Sequence, residues 1–291
     1  MPPVLRRYAW GAEMLWRLIQ DDAIKPKYLA SGMPKHGLHL LTSMLQGVCQ
    51  PMPRTVFGTS DWWGTFQWHS FVSAWNTWER QAYLFSRLRH GHFYKGHVGY
   101  KPQIANYIRL TGAAHVFIYR DLRDVCVSQM FHILSPDNDR FKHAGKGAYL
   151  ALGSNDAVLM AIIEGMGAFT GVVERWELYA PWLEQDWTLS LKFEDILADR
   201  ERAARAILEY GMDRYLSLFD TAPLRVEGSI FDEVVEAMVA NSKNPSLSST
   251  FRKGTSGQWR EHFTDAHKAA FKAHGGGEWL VRLGYETSEE W

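Results

Sequence analysis

A single α/β domain, with a central parallel β-sheet flanked by helices, is the architecture this sequence predicts. Two observations carry it. Short apolar runs of the fully buried strand type alternate with amphipathic helical stretches. No repeat, low-complexity segment or linker-like stretch interrupts that alternation over the 291 residues. Strands and helices alternating at this spacing pair in parallel and are covered on both faces. In such sheets the chemistry gathers at the carboxyl ends of the strands.

Lys27 to Ala30 reads as a short buried strand that enters a Gly-Met-Pro turn. After Gly37, Leu41, Met44, Leu45 and Val48 recur at i, i+3, i+4 and i+7, the apolar stripe of a helix. Phe93-Tyr94-Lys95 forms a second strand, and Pro102 opens a helix, since a first-turn residue needs no N–H acceptor. Ala114 to Tyr119 is a third, continuously apolar strand. Asp121 then caps a helix running to about Ile133. Trp187 to Phe193 is a fourth strand, and Glu194 to Tyr210 a charged helix ending at Gly211. Ser135 to Ala148, rich in Asp, Gly and Lys, is the candidate mobile loop.

Bulk composition narrows the function classes. Hydrophobic residues make up 46% and charged residues 22%, enough apolar material for a sizeable core. Formal net charge is zero, which argues against a broad nucleic-acid face, so an anion site has to be a local basic cluster. The two cysteines, Cys49 and Cys126, form no disulfide framework and favour a reducing compartment. Metal-ligand spacings are absent, so no metal is expected. The N-terminus turns polar within a few residues, unlike a secretory signal. The apolar stretch Val158 to Val173 is interrupted by Glu164, Gly165 and Gly167, so no membrane span is expected. The expectation is a cytoplasmic protein.

Three segments place basic side chains and turn N–H groups together. The first, Pro34-Lys35-His36-Gly37-Leu38-His39, joins a strand to a helix. It differs from a P-loop that binds magnesium, because Lys35 precedes Gly37 and no Ser or Thr follows it. It suits a phosphate cradled by backbone amides, or is a plain strand-to-helix turn. The second puts Arg120 at a strand end and Ser128 two helical turns on, so that both can hold one phosphate; the alternative is an Arg120–Asp124 surface pair. The third, Arg252-Lys253-Gly254, is an anion loop or a solvated turn. His97 ends the strand that carries Lys95, where a neutral imidazole can act as general base. Trp62, Trp63, Trp68, Trp75 and Trp78, with Phe66 and Phe71, make either a helix core stripe or the wall of a pocket for a flat, aromatic or sugar-like acceptor.

Taken in order, these segments resemble the sulfotransferases that use 3′-phosphoadenosine 5′-phosphosulfate (PAPS). That family carries a PKSGT loop, a Lys-Thr-His strand end, an Arg-(Asp/Asn)-x-(Arg/Lys)-Asp-x-x-x-Ser segment and a C-terminal Arg-Lys-Gly-x-x-Gly-x-Trp. Here they read Pro34 to His39, Lys95-Gly96-His97, Arg120 to Ser128, and Arg252-Lys253-Gly254 with Gly257 and Trp259. His262-Phe263-Thr264 and Phe193-Glu194-Asp195 match further family stretches, and the likeness covers about 27–274 of a single 1–291 domain. The resemblance implies the P-loop-NTPase-like sulfotransferase fold, with PAPS as donor and adenosine 3′,5′-bisphosphate (PAP) as product. It implies that Lys35 and the Pro34, His36, Gly37, Leu38 and His39 backbone hold the phosphosulfate. Arg120, Ser128, Arg252, Lys253 and Gly254 would hold the 3′-phosphate, with Phe193 at the cofactor site. His97 would deprotonate a hydroxyl or amine of a small-molecule acceptor, and Lys95 and Lys35 would support transfer. The chain departs from the pattern at His36 and Leu38, where the family has hydroxyl residues, at Gly96, and in the dimer motif, which reads Arg260 to Thr264 with Asp265 and Lys268. A degenerate nucleotide-binding member and a P-loop kinase with Asp121 on magnesium are the competing expectations.

Overall fold

A computed structural model of the chain describes residues 26–51, 85–135, 145–219, 229–244 and 255–291. Its centre is a five-stranded, wholly parallel sheet. The strands are β1 (Tyr28–Ser31), β2 (Gln50–Pro51), β3 (His92–Gly96), β4 (Ala114–Tyr119) and a further strand, Leu189–Lys192. Between β4 and that last strand a small antiparallel ribbon intervenes, β5 (Gly165–Met166) with β6 (Phe169–Thr170), so Leu189–Lys192 is β7. The sheet order is β2-β3-β1-β4-β7. Strand order reverses beside β1, whose neighbours β3 and β4 both follow it in the chain. Such a reversal opens a crevice at the carboxyl ends of the central strands.

Alternation along β1 and β4 splits the core into two layers. Leu29 and Phe117 face one side, packing with α3 (Leu122–Leu134), α5 (Asn155–Glu164) and α6 (Val172–Glu177). Tyr28, Ala30, Val116 and Ile118 face the other, against α1 (Leu38–Leu45), α8 (Arg200–Leu216) and α9 (Ser229–Ser242). The remaining helices are α2 (Pro102–Thr111), α4 (Lys146–Leu150), α7 (Phe193–Ala198), α10 (Trp259–His262), α11 (Asp265–Ala273) and α12 (Gly276–Arg282). No helix among the described residues is long and apolar enough to cross a membrane.

Three features between Trp187 and Gly211 differ from the sequence expectation. The fourth long strand is shorter than Trp187 to Phe193, and Phe193 opens α7 instead of closing β7. Asp199 then breaks the expected single helix: its side chain accepts from the Arg202 amide and starts α8 afresh. Gly211 does not stop α8. It lies inside the helix because a Cβ there would sit 1.9 Å from the Tyr28 hydroxyl, so glycine permits close approach of helix to sheet.

A buried histidine ties three strands together. His115 Nε2 and the Ser31 hydroxyl lie 2.6 Å apart, and His115 Nδ1 and the Thr188 hydroxyl 3.0 Å apart. A neutral imidazole donates through one nitrogen and accepts through the other, and a hydroxyl can take either role. Burial lowers the His115 pKa to about 3. Unfolded, the group titrates near about 6.5. The unfolded chain therefore binds the extra proton first, so this contribution is complete above about 6.5 and is lost as pH falls through about 3. We expect denaturation experiments between pH ~6.5 and ~5 to show a slope up to about 1.4 kcal/mol per pH unit steeper for the wild type than for His115→Gln. Parallel slopes would mean that His115 protonates in the folded protein.

Candidate nucleotide-binding and transfer site

The loop after β1 carries the first basic segment. The His36 amide donates to the Met33 carbonyl at 3.2 Å, closing a tight turn. Lys35 has φ 74, the only positive φ at a non-glycine residue among those described. A lysine held in the left-handed region stores local strain, a feature that concentrates where side chains are aimed for function. Gly37 (φ 95) caps α1, and a Cβ there would meet the Phe193 ring at 2.4 Å. Beyond Gly37, the Leu38 and His39 amides belong to the first turn of α1, where the helix itself supplies no acceptor. An anion at this end of the helix would satisfy them.

His36 sits differently from the rest of the loop. Its amide is used in the turn, and its ring is fully buried, stacked at 5.2 Å on Trp176. Burial, and then the neighbouring Arg120, Arg175 and His97, hold the imidazole well below its usual pKa and therefore neutral. A backbone hydrogen bond with Ile118 opposes this shift without reversing it.

His97 follows β3 directly. Its Nδ1 lies 2.8 Å from the Gly32 carbonyl, which can only accept, so Nδ1 carries the proton and the lone pair is on Nε2. This bond ties the candidate base to the residue that opens the phosphate loop. The Tyr179 hydroxyl donates to the His97 carbonyl at 3.5 Å, and Trp182 Nε1 to the Val98 carbonyl at 2.7 Å. Lys95, half-buried on β3, stands opposite Ala30 on β1.

The second and third segments meet around Asp124. This carboxylate is 1% exposed; it accepts from the Gly257 amide at 2.7 Å, the Trp259 amide at 3.0 Å and Arg120 Nη2 at 3.3 Å. Arg120 Nη2 also donates to the Thr255 carbonyl at 2.8 Å. Arg120 and Asp124 thus form a buried joint, not a surface pair. Arg120 packs 4.5 Å above the Phe193 ring, with Glu194 4.0 Å from its Nε. Burial raises the Glu194 pKa, opposed by the hydrogen bond that Tyr285 donates to it at 2.6 Å. Ser128 lies half-buried farther along α3. Arg252, Lys253 and Gly254 lie outside the described residues, as do the tryptophans from Trp62 to Trp78 and residues 136–144 of the candidate mobile loop.

Asp124 is the site residue that sequence reasoning missed. Its partners stand more than a hundred residues away, and its position four after Arg120 suggested a solvated helix pair. Arg123, one residue earlier, carries the same lesson. It binds Asp121 through Nε and Nη2 (3.0 and 2.7 Å) and Glu286 through Nη1 (2.6 Å), between the rings of Trp259 and Trp291. Asp121 also accepts from the Arg123 amide. This engagement counts against Asp121 as a magnesium ligand.

Replacing Asp124 with Asn removes the charge and one of two acceptor oxygens. We expect amide hydrogen exchange at Gly257 and Trp259 to accelerate by about 10–100-fold, the equivalent of one charged hydrogen bond. Unchanged protection there would show that other contacts dock the segment.

The sulfotransferase domain model matches residues 31–281 of the chain. Among solved structures, the chain is similar to mouse sulfotransferase SULT7A1 complexed with PAP, at 14% identity and a TM-score of 0.55, covering 92% of this chain and 89% of that one. It is also similar to retinol dehydratase in complex with androsterone and inactive cofactor PAP, at 14% identity and a TM-score of 0.51, covering 88% and 82%. No curated protein sequence matches it. The structural likenesses show the fold, and the match across most of the chain shows that this protein belongs to the sulfotransferase domain family.

Proposed function

We propose that this protein transfers a sulfuryl group from PAPS to a hydroxyl or amine of a small-molecule acceptor, with His97 as general base. The observation that carries the reading is the bond from His97 Nδ1–H to the Gly32 carbonyl. It sets the tautomer with the lone pair on Nε2, and places that base beside the loop whose amides suit a phosphosulfate.

The residues fit the donor at both ends. The Leu38 and His39 amides and the strained Lys35 offer donors and charge to the 5′ end. Arg120 and Ser128, with Arg252, Lys253 and Gly254, are the candidates for the 3′-phosphate, and the Asp124 joint brings the segment that follows Gly254 onto Arg120. PAPS supplies the activated sulfuryl group. The protein supplies alignment and fixed positive charge, which dominate catalysis of this kind of displacement. Lys35 stabilises charge on the leaving oxygen, Lys95 supports the transfer, and His97 Nε2 accepts the acceptor's proton. The density of tryptophans between Trp62 and Trp78 in the sequence supports an acceptor with an aromatic or sugar-like ring. Two buried free cysteines support a reducing, cytoplasmic setting.

Calorimetric titration with PAP in EDTA tests the nucleotide site, and turnover tests the base. Arg120→Ala should weaken PAP binding by about 1.5–3 kcal/mol. His97→Ala should keep PAP affinity and lose about 10²–10⁴-fold in turnover. Wild type that binds PAP without turning over points to the degenerate, non-catalytic reading. Heat protection by magnesium-ATP and not by PAP points to a kinase.

A further inference from the structure

Trp182 is fully buried, and its N–H and its ring serve two different strands. It sits in the short 3-10 helix Ala180–Glu184 that follows α6. Its Nε1–H donates to the Val98 carbonyl at 2.7 Å, one residue beyond His97. Its ring meets that of His115 on β4 edge-on, with centroids 4.3 Å apart. A buried indole N–H needs an acceptor, and many carbonyls would serve. The one it uses belongs to the segment that carries the candidate base.

From these two contacts a closed circuit can be followed. His115 Nε2 lies 2.6 Å from the Ser31 hydroxyl, and both residues are fully buried. Ser31 ends β1, and the next residue, Gly32, offers the carbonyl that accepts from His97 Nδ1 at 2.8 Å. His97 leads directly to Val98 and so back to the indole. Both partners of the bond that sets the tautomer are therefore held by one side chain. The histidine is held through the carbonyl of its neighbour, and the Gly32 carbonyl through Ser31 and His115. The same stretch also grips the chain beyond: the Tyr100 amide donates to the Leu178 carbonyl at 2.7 Å, and the Tyr100 ring meets Trp182 at 5.1 Å.

Such a bond weakens steeply once donor and acceptor lose alignment. A reacting group misplaced by about 1 Å costs on the order of 10²-fold in rate. Gly96, immediately before His97, brings no side chain to hold the strand end, so the anchor has to come from beyond the histidine. Val98 is fully buried, so a carbonyl stripped of the indole N–H gains no water in exchange and the segment shifts to repair the loss.

We propose that Trp182 is a positioning residue for the transfer reaction: its indole N–H on the Val98 carbonyl, with its ring against His115, fixes His97 against the Gly32 carbonyl and keeps the lone pair on Nε2. This rests on the reading of His97 as the general base of a sulfotransferase.

The test reads the tautomer itself, by proton–nitrogen correlation NMR of the His97 ring at pH ~8, above the ordinary imidazole range. The proteins compared are the wild type, Trp182→Phe, Ser31→Ala and Trp187→Phe. Trp182→Phe keeps a ring against His115 and removes the N–H; Ser31→Ala opens the circuit on its other side. Trp187 is the control, because its ring also packs on His115, with centroids 5.8 Å apart. In the wild type the Nδ1–H form should exceed the Nε2–H form by about tenfold, the worth of one hydrogen bond. Trp182→Phe should bring the two forms to within about twofold of each other, Ser31→Ala should move them the same way, and Trp187→Phe should leave them as in the wild type. A wild type with the proton on Nε2 overturns the proposal whether or not the variants fold. So does an unchanged ring in Trp182→Phe, or in Ser31→Ala where Trp182→Phe does not fold. An equal shift in Trp187→Phe overturns it too, since the effect is then general packing. Failure of the wild type to bind PAP in calorimetry would instead fell the sulfotransferase reading, and the ring signals would still decide what Trp182 does to His97.

Discussion

The site is organised around one buried carboxylate. Asp124 gathers a guanidinium and two backbone amides that the chain supplies from two widely separated segments. A carboxylate hidden from water is tolerable only when its oxygens are fully engaged by donors. That requirement works as a geometric constraint: residues 255–259 must return to the amino end of α3, or Asp124 loses two amide donors and Arg120 its carbonyl acceptor. The neighbouring Arg123, with Asp121, Glu286 and two indole rings, repeats the arrangement one residue away. Two salt-bridged clusters thus press the C-terminal part of the chain onto the end of the central sheet. Their energy is not large, since desolvation offsets most of the attraction in buried pairs. Their value lies in specifying one arrangement of segments that are far apart in sequence.

The other half of the site depends on the sheet directly. β1 lies between β3 and β4, so the candidate phosphate loop after β1 and His97 after β3 emerge side by side. The Gly32 carbonyl then does two things at once. It follows β1 directly, and it accepts the hydrogen bond that defines the histidine's tautomer. Phe193, opening the helix after β7, fills the space left by the missing Cβ of Gly37 and lies under Arg120. One aromatic ring thereby links the 5′ side of the candidate nucleotide site to its 3′ side.

Much of this was legible in the sequence, for physical reasons that can be named. β4 was placed to the residue, because a run that is apolar apart from His115 and closes on Arg and Asp reads as a buried strand. Asp121 as a helix cap and Pro102 as a first-turn residue were equally plain, since both effects are local. The places that misled were those where a distant partner decides. Gly211 looked like a helix stop until Tyr28 was seen against it. Asp124 looked solvated, because spacing along a helix says nothing of what crosses above it. His36 was read only as a lost serine hydroxyl within the loop, whereas its ring is stacked on Trp176, in a helix that sequence reasoning did not single out.

His36 and Arg175 become intelligible together. The replacement of a small hydroxyl residue by histidine puts a bulky, neutral ring under the phosphate loop, and Trp176 provides the flat surface that accommodates it. Trp176 and Arg175 are adjacent on α6, so the helix that supports the loop also carries a partly buried arginine. Buried nitrogens without a hydrogen-bond partner among the described residues lie here: Trp176 Nε1, Arg175 Nε and Arg120 Nε. A native interior rarely leaves so many polar groups unsatisfied in one place without a ligand or ordered water to complete them. Arg120 is meanwhile committed to the Asp124 joint and His36 is held neutral, so the charge at this end of the sheet is set by contacts that spacing along the chain does not show.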